Sequence, residues 1–395
     1  MLKSVLDDEK KCCACFSCMN ICPKNSISMK KEKNGAIYPK IDSEKCIGCH
    51  LCRKVCPIEN KAETEKLKKV YATYSKNEEI HEKSNSGGLS YIIASEIIKE
   101  DGIVYGAVMN ATKVQHERIS DQKDLYKIQG SKYVHSHMNQ CVTQISSDLK
   151  SGKKVVFFGT PCQVAAVKNY IKINRQNLLL VDILCHGVPT QDSLKSGIEL
   201  ETKEHIKSIS FRDGKKYRFK LDDKNGNSVI VPYRMSYWLN GFVEGYIFRE
   251  NCYSCKYAEV DRCGDITLGD FWGLDKDIQE VKERDKGINL VMINTENGQN
   301  MWNTIKNELN YMERTIQEAI PHNHPLSYPS AYPDRYDKFI NIYCNHGGKK
   351  ALMFAYPKKT IFIAIRRGLR HFPVLYNTMK KIPKIGNKIA EYPPM

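Results

Sequence analysis

Sixteen cysteines are the residues of this chain best equipped for chemistry, and eight of them fall in two identical runs. Cys12-x-x-Cys15-x-x-Cys18-x-x-x-Cys22-Pro23 recurs 34 residues later as Cys46-x-x-Cys49-x-x-Cys52-x-x-x-Cys56-Pro57. Three thiolates on one tight loop can grip three irons of a cubane, while the fourth lies just beyond and faces the opposite cubane. Ligation therefore crosses between the halves. Cys12, Cys15, Cys18 and Cys56 would hold one 4Fe-4S cluster, and Cys46, Cys49, Cys52 and Cys22 the other. Pro23 and Pro57 turn the chain away and supply no amide donor. The alternative, paired zinc, prefers separated Cys pairs and has no use for a tripled run. Cys13 falls outside the register and reads as a bystander.

A pair of one-electron carriers implies something at its end. Cys252-x-x-Cys255 has the shortest spacing that chelates one metal centre, and Cys162 and Cys185 each follow an apolar strand pattern directly. In an open α/β sheet such strand ends meet at one edge, where ligands bind. Cys162, Cys185, Cys252 and Cys255 are thus candidates for a third cluster, with Cys263 as the substitute ligand. The alternative is a reduced Cys-x-x-Cys beside two buried core cysteines. His186, next to Cys185, is the candidate proton donor or hydrogen-bond donor to a cluster sulfur; a structural histidine is the other reading.

Single electrons become useful to organic chemistry through a flavin, which collects them one at a time and delivers hydride. Ser86, Gly87 and Gly88 precede a helical pattern and can lend amides to a phosphate, although an ordinary helix cap has the same composition. Lys132, in Gly130-Ser-Lys-Tyr133, can stand over a pyrophosphate, or belong to a surface turn. Thr160, beside Cys162, and Asp270, beside Trp272, complete the candidate FAD contacts. No GxGxxG fingerprint is present, so a dinucleotide fold is not readable by motif.

The elements that must position these residues follow from the periodicity. Residues 1–62 form a small two-cluster ferredoxin-like module. The polar, charged stretch 59–69 separates it, as a linker would, from a body over 66–348. There the pattern runs strand (70–74), helix (to 99), strand (103–109), then strand (154–158), helix (163–171), strand (178–184), the alternation of an α/β body with a partly parallel sheet. Alternation over 211–233, broken by Asp222-Asp-Lys-Asn-Gly-Asn227, predicts a β-hairpin insertion. Strands return near 265–268 and 287–293, and 322–333 reads as an irregular loop. The fold class is α+β: a ferredoxin-like N-terminal domain, an α/β flavoprotein domain with a mixed sheet, and a basic helical tail over 349–395.

Composition narrows the setting. Across 395 residues the net charge is +16, and the segment from Lys349 onward holds eleven Lys or Arg against one acid, Glu391. Three clusters of about −2 each would bring the total to roughly +10. The tail lacks regular aromatic interleaving, which argues against nucleic acid. Its Lys358, Lys359, Arg366, Arg367 and Arg370 around an apolar stretch suit peripheral contact with an anionic membrane better, a solvated cationic surface being the alternative. The longest clean apolar run, 361–365, falls far short of the roughly 18 residues of a membrane span. The acidic start Asp7-Asp-Glu9 lacks a signal peptide's apolar core, so the expected location is the cytoplasm.

With these residues in hand, the chain resembles the family of the beta subunit of coenzyme F420-reducing hydrogenase and related dehydrogenases, fused behind a ferredoxin-like domain. The likeness spans about 70–320 and rests on Ser86-Gly-Gly88, Gln129-Gly-Ser-Lys-Tyr-Val134, Phe158-Gly-Thr-Pro-Cys-Gln163, Asp182-Ile-Leu-Cys-His-Gly-Val-Pro189, Cys252-Tyr-Ser-Cys255 and Gly264-Asp-Ile-Thr-Leu-Gly-Asp-Phe-Trp-Gly273. It implies FAD with a 4Fe-4S cluster beside it. It also implies electron transfer between iron–sulfur carriers and a two-electron acceptor: a deazaflavin, a nicotinamide or another small organic substrate. Other relatives occur in surface-polysaccharide biosynthesis. The expected function is an iron–sulfur flavoprotein oxidoreductase with a redox protein such as ferredoxin as partner. The alternative is a non-catalytic electron-transfer subunit serving a separate catalytic partner. The basic tail matches no part of the family pattern.

Overall fold

The computed structural model describes residues 2–213, 216–274, 287–358 and 360–361. Thirteen strands and twelve α-helices are assigned among them. Eight strands make one mixed sheet in the order β13 (Leu309–Arg314), β3 (Lys69–Ser75), β12 (Asn289–Ile293), β11 (Ile266–Asp270), β7 (Leu178–Ile183), β6 (Val155–Gly159), β4 (Ile103–Asn110), β5 (Lys113–Ile119). The central strands β4, β6, β7 and β11 run parallel, and antiparallel pairs flank them on both sides.

The central strands read as continuous apolar runs because both faces are covered. Val155, Phe157, Leu178 and Leu180 point into a core shared with Val142, Ile145 and Leu149 of α5 (Cys141–Lys150) and with Val164 to Val167 of α6 (Pro161–Tyr170). The alternate residues Val156, Leu179, Val181 and Ile266 point into a second core with Leu89, Ile92, Ile93 and Ile97 of α4 (Leu89–Lys99) and Trp302 and Ile305 of α9 (Glu296–Ile305). Trp302 stacks on Tyr71 at 4.2 Å.

The insertion expected as a hairpin is a three-stranded antiparallel sheet, β8 (Ile206–Asp213), β9 (Lys216–Asp223) and β10 (Ser228–Pro232), in the order β10-β9-β8. The Asp222–Asn227 turn is its second connection: Asp223 Oδ1 accepts from the backbone N–H groups of Asn225 and Asn227. This sheet, with α7 (Gln191–Glu201), α8 (Tyr237–Val243), α11 (Tyr336–His346) and α12 (Gly348–Ala355), closes an aromatic core around the buried Trp238, Phe211 and Phe219. The segment expected as a tail from 349 onward thus begins inside α12, whose Ala351 and Leu352 are buried. Residues 362–395, on which most of the basic tail reading falls, lie outside the described residues. Among the described residues no helix is long and apolar enough to cross a membrane.

The N-terminal module pairs β1 (Ile27–Lys31) with β2 (Ile37–Ile41) and carries the short helices α1 (Ser17–Ile21) and α2 (Leu51–Lys54). It is docked rather than tethered. Cys13, Ala14, Phe16, Ile37 and Ala62 join the α5–α6 core, Tyr257 Oη donates to Pro57 O at 2.7 Å, and Glu65 and Arg262 exchange backbone hydrogen bonds at 2.7 and 3.2 Å. The stretch whose polarity suggested a linker is irregular backbone pinned to the body by the isolated β-bridge between Glu65 and Arg262.

Arg262 also anchors the loop that follows. Its guanidinium bonds Asp182 Oδ1 at 2.9 and 3.2 Å, and both side chains are fully buried. Asp182 Oδ2 accepts from Gly264 N–H as well. Removing one partner strands the other charge in the interior. Asp182→Ala is therefore expected to lower the unfolding free energy by about 3–5 kcal/mol in urea denaturation; a loss below about 1 kcal/mol would contradict the assignment.

Candidate functional site

The cysteine runs fold as paired loops whose backbone is bent in the same places. In the first run Ala14 and Phe16 have φ of +50° and +63°; at the equivalent positions of the second, Gly48 and His50 have φ of +70° and +58°. Non-glycine residues in this region are strained, and the bend lets three thiols of each run converge. Cys12, Cys15, Cys18 and Cys56 line one cavity, and Cys22, Cys46, Cys49 and Cys52 another. The fourth thiol of each set comes from the other run, the crossed arrangement that the spacing implies.

The third set converges from the body. Cys162 lies in the first turn of α6 and Cys185 just beyond β7, at the carboxyl ends of two neighbouring parallel strands. Cys252 and Cys255 come from a 3-10 turn and its exit. All four line a third cavity with Thr160, His186, Asn251 and His324. Gly187 makes the turn after Cys185 feasible: a Cβ there would sit 2.4 Å from the Phe248 ring, and its φ is +140°.

Cys13, the expected bystander, lines both the first and the third cavity. Its thiol stands between Cys15 and Cys162, and the contact raises its own pKa while lowering both of theirs. Cys263, the expected substitute, instead donates to Pro161 O at 3.3 Å within the core, outside the third cavity's wall.

Burial grades the three cavities. All four thiols of the first are buried, whereas in the second Cys49 is exposed and Cys22 and Cys46 are half-buried. Desolvation pushes Cys12 and Cys56 up to about 12, Cys252 up to about 12 and Cys255 to about 11. Cys162 is lowered, chiefly by the Cys13 thiol beside it. Ligating thiolates must be ionised, and buried ones are tenable only beside compensating positive charge. Amides supply part of it: Ala14 N–H points at Cys12 Sγ at 3.3 Å, and Ser26 N–H at Cys22 Sγ at 3.4 Å. The donor sets, all thiolate with N–H donors aimed at sulfur, fit iron–sulfur groups. Among the described residues no three His, Cys, Asp or Glu side chains converge on a single-ion site. The thiols line three separate cavities instead.

His186 packs edge-on against Phe242 and Phe248, with ring centroids at 4.7 and 5.1 Å. Burial, with His324 nearby, lowers its pKa to about 4, so the ring in the cavity wall is neutral.

The remaining FAD candidates gather elsewhere, except one. Thr160 caps α6 and its Oγ1 lies 3.3 Å from Cys162 Sγ, placing it in the third cavity's wall. The turn at 85–88 and the turn at 129–133 meet across Arg212, which donates to Asn85 O and Tyr133 Oη at 2.9 Å each and to Asp270 Oδ2 at 2.6 Å. Asp270 is therefore engaged in holding Arg212. Gly87 has its own reason to be glycine, since a Cβ would approach Thr73 O to 2.3 Å. Gly88, with φ of +87°, opens α4 without a capping side chain, and Ser86 Oγ accepts from Asn289 Nδ2. Among the described residues Lys132 Nζ meets only carbonyl oxygens, Gln129 O at 2.7 Å and Gly130 O at 3.2 Å, and desolvation lowers it to about 7. A half-buried ammonium with no carboxylate partner among the described residues, beside an open helix start, fits a phosphate-bearing cofactor such as FAD. A ring ladder joins this cluster to the third cavity: Tyr133 stacks on Phe242 at 4.6 Å, and Phe242 touches His186.

Arg212 and Cys13 carry no motif. Only Cys13 offered a hint, by its place inside a ligand run.

Two protein families match the chain. Residues 152–319 match the carboxyl-terminal region of the coenzyme F420 hydrogenase/dehydrogenase beta subunit. Residues 11–60 match a 4Fe-4S dicluster domain. The resemblance read from the sequence is borne out for both parts, and the architecture is an iron–sulfur domain followed by an α/β domain similar to the hydrogenase beta subunit. Among solved structures, the F420-reducing NiFe hydrogenase complex from Methanosarcina barkeri, as a xenon derivative, aligns with 20% identity over 65% of this chain and 85% of that chain, with a TM-score of 0.46. No curated protein matches. The family matches support redox electron transfer as the activity class.

The geometry makes a contrast between two neighbouring thiols. In anaerobically reconstituted protein, Cys162→Ser is expected to lower iron by about four per chain, while Cys263→Ser leaves it unchanged. Iron and sulfide analysis checks both, and equal losses would contradict the assignment of the third cavity.

Proposed function

We propose that the chain is an iron–sulfur flavoprotein oxidoreductase that exchanges single electrons with a redox protein, such as a ferredoxin, and a hydride with a small organic substrate. The succession of three thiol-ringed cavities, two of them sharing Cys13 in their walls, is the observation that carries this reading. The twelve ligands would be Cys12, Cys15, Cys18 and Cys56; Cys22, Cys46, Cys49 and Cys52; and Cys162, Cys185, Cys252 and Cys255. Ser86, Gly87, Gly88 and Lys132 would hold the phosphates of FAD. When bound, the clusters supply one-electron exchange at low reorganisation cost and the flavin converts paired single electrons into hydride chemistry.

The protein's own residues supply direction and insulation. Exposed Cys49 and the 61% exposed Ile47 put the second cavity where a protein partner can reach it. Burial of the first set excludes water. The Cys13 thiol stands between one ligand sulfur of each inner set and can give its single proton to either. Neutral His186 can offer its ring N–H to a ligand sulfur or a nearby oxyanion; it does not start as an imidazolium. Thr160 acts on the Cys162 sulfur, and Asp270 keeps Arg212 in place under both cofactor-binding turns.

The substrate is a two-electron organic acceptor or donor of the deazaflavin or nicotinamide type, with a carbohydrate precursor as the further class. Iron- and FAD-replete protein, given chemically reduced ferredoxin, should reduce a deazaflavin or nicotinamide, followed by absorbance. A fully loaded chain that passes electrons only to a second protein would establish the subunit role instead.

Lys132 gives this reading a pH signature. An anion favours the ammonium form, and burial has brought that amine to about 7. FAD affinity should therefore be greatest below pH 7 and weaken above it, up to about tenfold per pH unit. Lys132→Met should weaken binding at least tenfold and flatten the profile. Fluorescence titration of released flavin checks both, and an unchanged profile in the variant would remove Lys132 from the site.

A further inference from the structure

Two arginines are buried among the cysteine loops, and they differ in one respect. Arg262 is neutralised by Asp182. Arg249, only 3% exposed, has no carboxylate partner among the described residues. Its Nη2 donates to Cys12 O at 2.9 Å and Ile37 O at 3.2 Å, and its guanidinium stands 5.6 Å over the Tyr38 ring. Its Nε is buried with no acceptor at all. The neighbouring carboxylate, Glu250, is turned outward to Lys10 at 3.1 Å. The other titratable groups facing it are neutral: His135 and His137 have pKa values lowered by burial and by Arg249 itself, and burial pushes the Tyr38 phenol up to about 12.

Its backbone ties the same three loops together. Arg249 N–H donates to Val188 O at 3.0 Å, three residues beyond Cys185, and Arg249 O accepts from Cys252 N–H at 2.9 Å. The side chain then reaches the Cys12 loop. A charge withdrawn from water this completely is costly unless an anion sits within reach. The neighbouring groups that can become anionic are thiolates: the Cys12, Cys162 and Cys252 thiols all lie within its field and are stabilised in their charged form by it.

We infer that Arg249 is the buried counter-charge of the two inner thiolate sets, Cys12-Cys15-Cys18-Cys56 and Cys162-Cys185-Cys252-Cys255, and that it raises the reduction potentials of the iron–sulfur groups they hold. This rests on the three-cluster reading above. A four-thiolate cubane is an anion that gains a further negative charge on reduction, so a fixed cation beside it favours the reduced state. The second set lies at the exposed outer end of the module and takes no part in these contacts, which makes it an internal reference. Arg249 is thus a positioning and tuning residue whose position matches the junction where charge must pass from the docked module to the body.

The test is an EPR-monitored redox titration of the full chain, reconstituted anaerobically, as wild type, Arg249→Gln and Arg249→Lys. Arg249→Gln should shift the inner midpoints downward by about a tenfold change in the one-electron equilibrium, ~59 mV, with the outer midpoint unmoved. Arg249→Lys keeps the charge and should recover most of the shift. Inner midpoints equal to wild type in Arg249→Gln, or an equal shift of all three, would overturn the inference. Wild type that binds no iron would overturn the cluster reading itself, a separate result. Should Arg249→Gln fail to load the inner sets, Arg249→Lys decides: loading with wild-type midpoints supports the counter-charge, whereas failure in both leaves only the carbonyl contacts and overturns it.

Discussion

Everything in this molecule depends on taking thiols out of water. A thiol buried among apolar side chains resists ionisation, and Cys12, Cys18, Cys56, Cys185 and Cys252 are all pushed upward by desolvation. Such groups are inert unless something of opposite charge shares their enclosure. The chain commits strained backbone at Ala14 and Phe16, amides at Cys12 and Cys22, and one unpaired guanidinium to making that enclosure habitable. A cluster domain at 11–60 gives those features a purpose.

The second constraint is contact between module and body. Electron exchange decays with distance, so a small cluster domain on a loose tether would couple poorly to a site in the sheet. Here the module is fused into the α5–α6 core through Cys13, Ala14, Phe16 and Ala62, and fastened by Tyr257 to Pro57 and Arg249 to Cys12. The body, in turn, presents Cys162 and Cys185 where parallel strands β6 and β7 end. That edge exists because Val155 to Phe158 and Leu178 to Val181 alternate between two helix-covered cores. Packing, topology and the position of the thiols are one arrangement.

Much of this was legible in the sequence because its causes are local. Chelating loops are set by spacing over a few residues, and buried parallel strands announce themselves as apolar runs ending at Cys162 and Cys185. The mixed sheet and the order of its domains follow. What was not legible depends on chain segments far apart in sequence. The stretch 59–69 has a linker's composition, yet its backbone bonds Arg262. Cys13 looked idle because its partners, Cys15 and Cys162, belong to different domains. Thr160 was grouped with the turns at 86–88 and 130–133 as a candidate FAD contact, whereas the fold sets it against the Cys162 sulfur, and Asp270 reaches those turns through Arg212. Arg249 gives no signal at all in a sequence where arginine is ordinarily a surface residue.

The central claim is that the thiol sets hold iron–sulfur groups close enough to act as one conductor. Cys13 lies in the wall of the first and third cavities at once, so paramagnetic centres held there would be close enough to couple. EPR of anaerobically reconstituted protein, recorded at partial and at full dithionite reduction, tests this most directly. The account predicts separate cubane signals when few centres are reduced and a broadened, spin-coupled spectrum at full reduction. Signals that stay sharp and additive throughout, or metal analysis that finds zinc where iron should be, would contradict it.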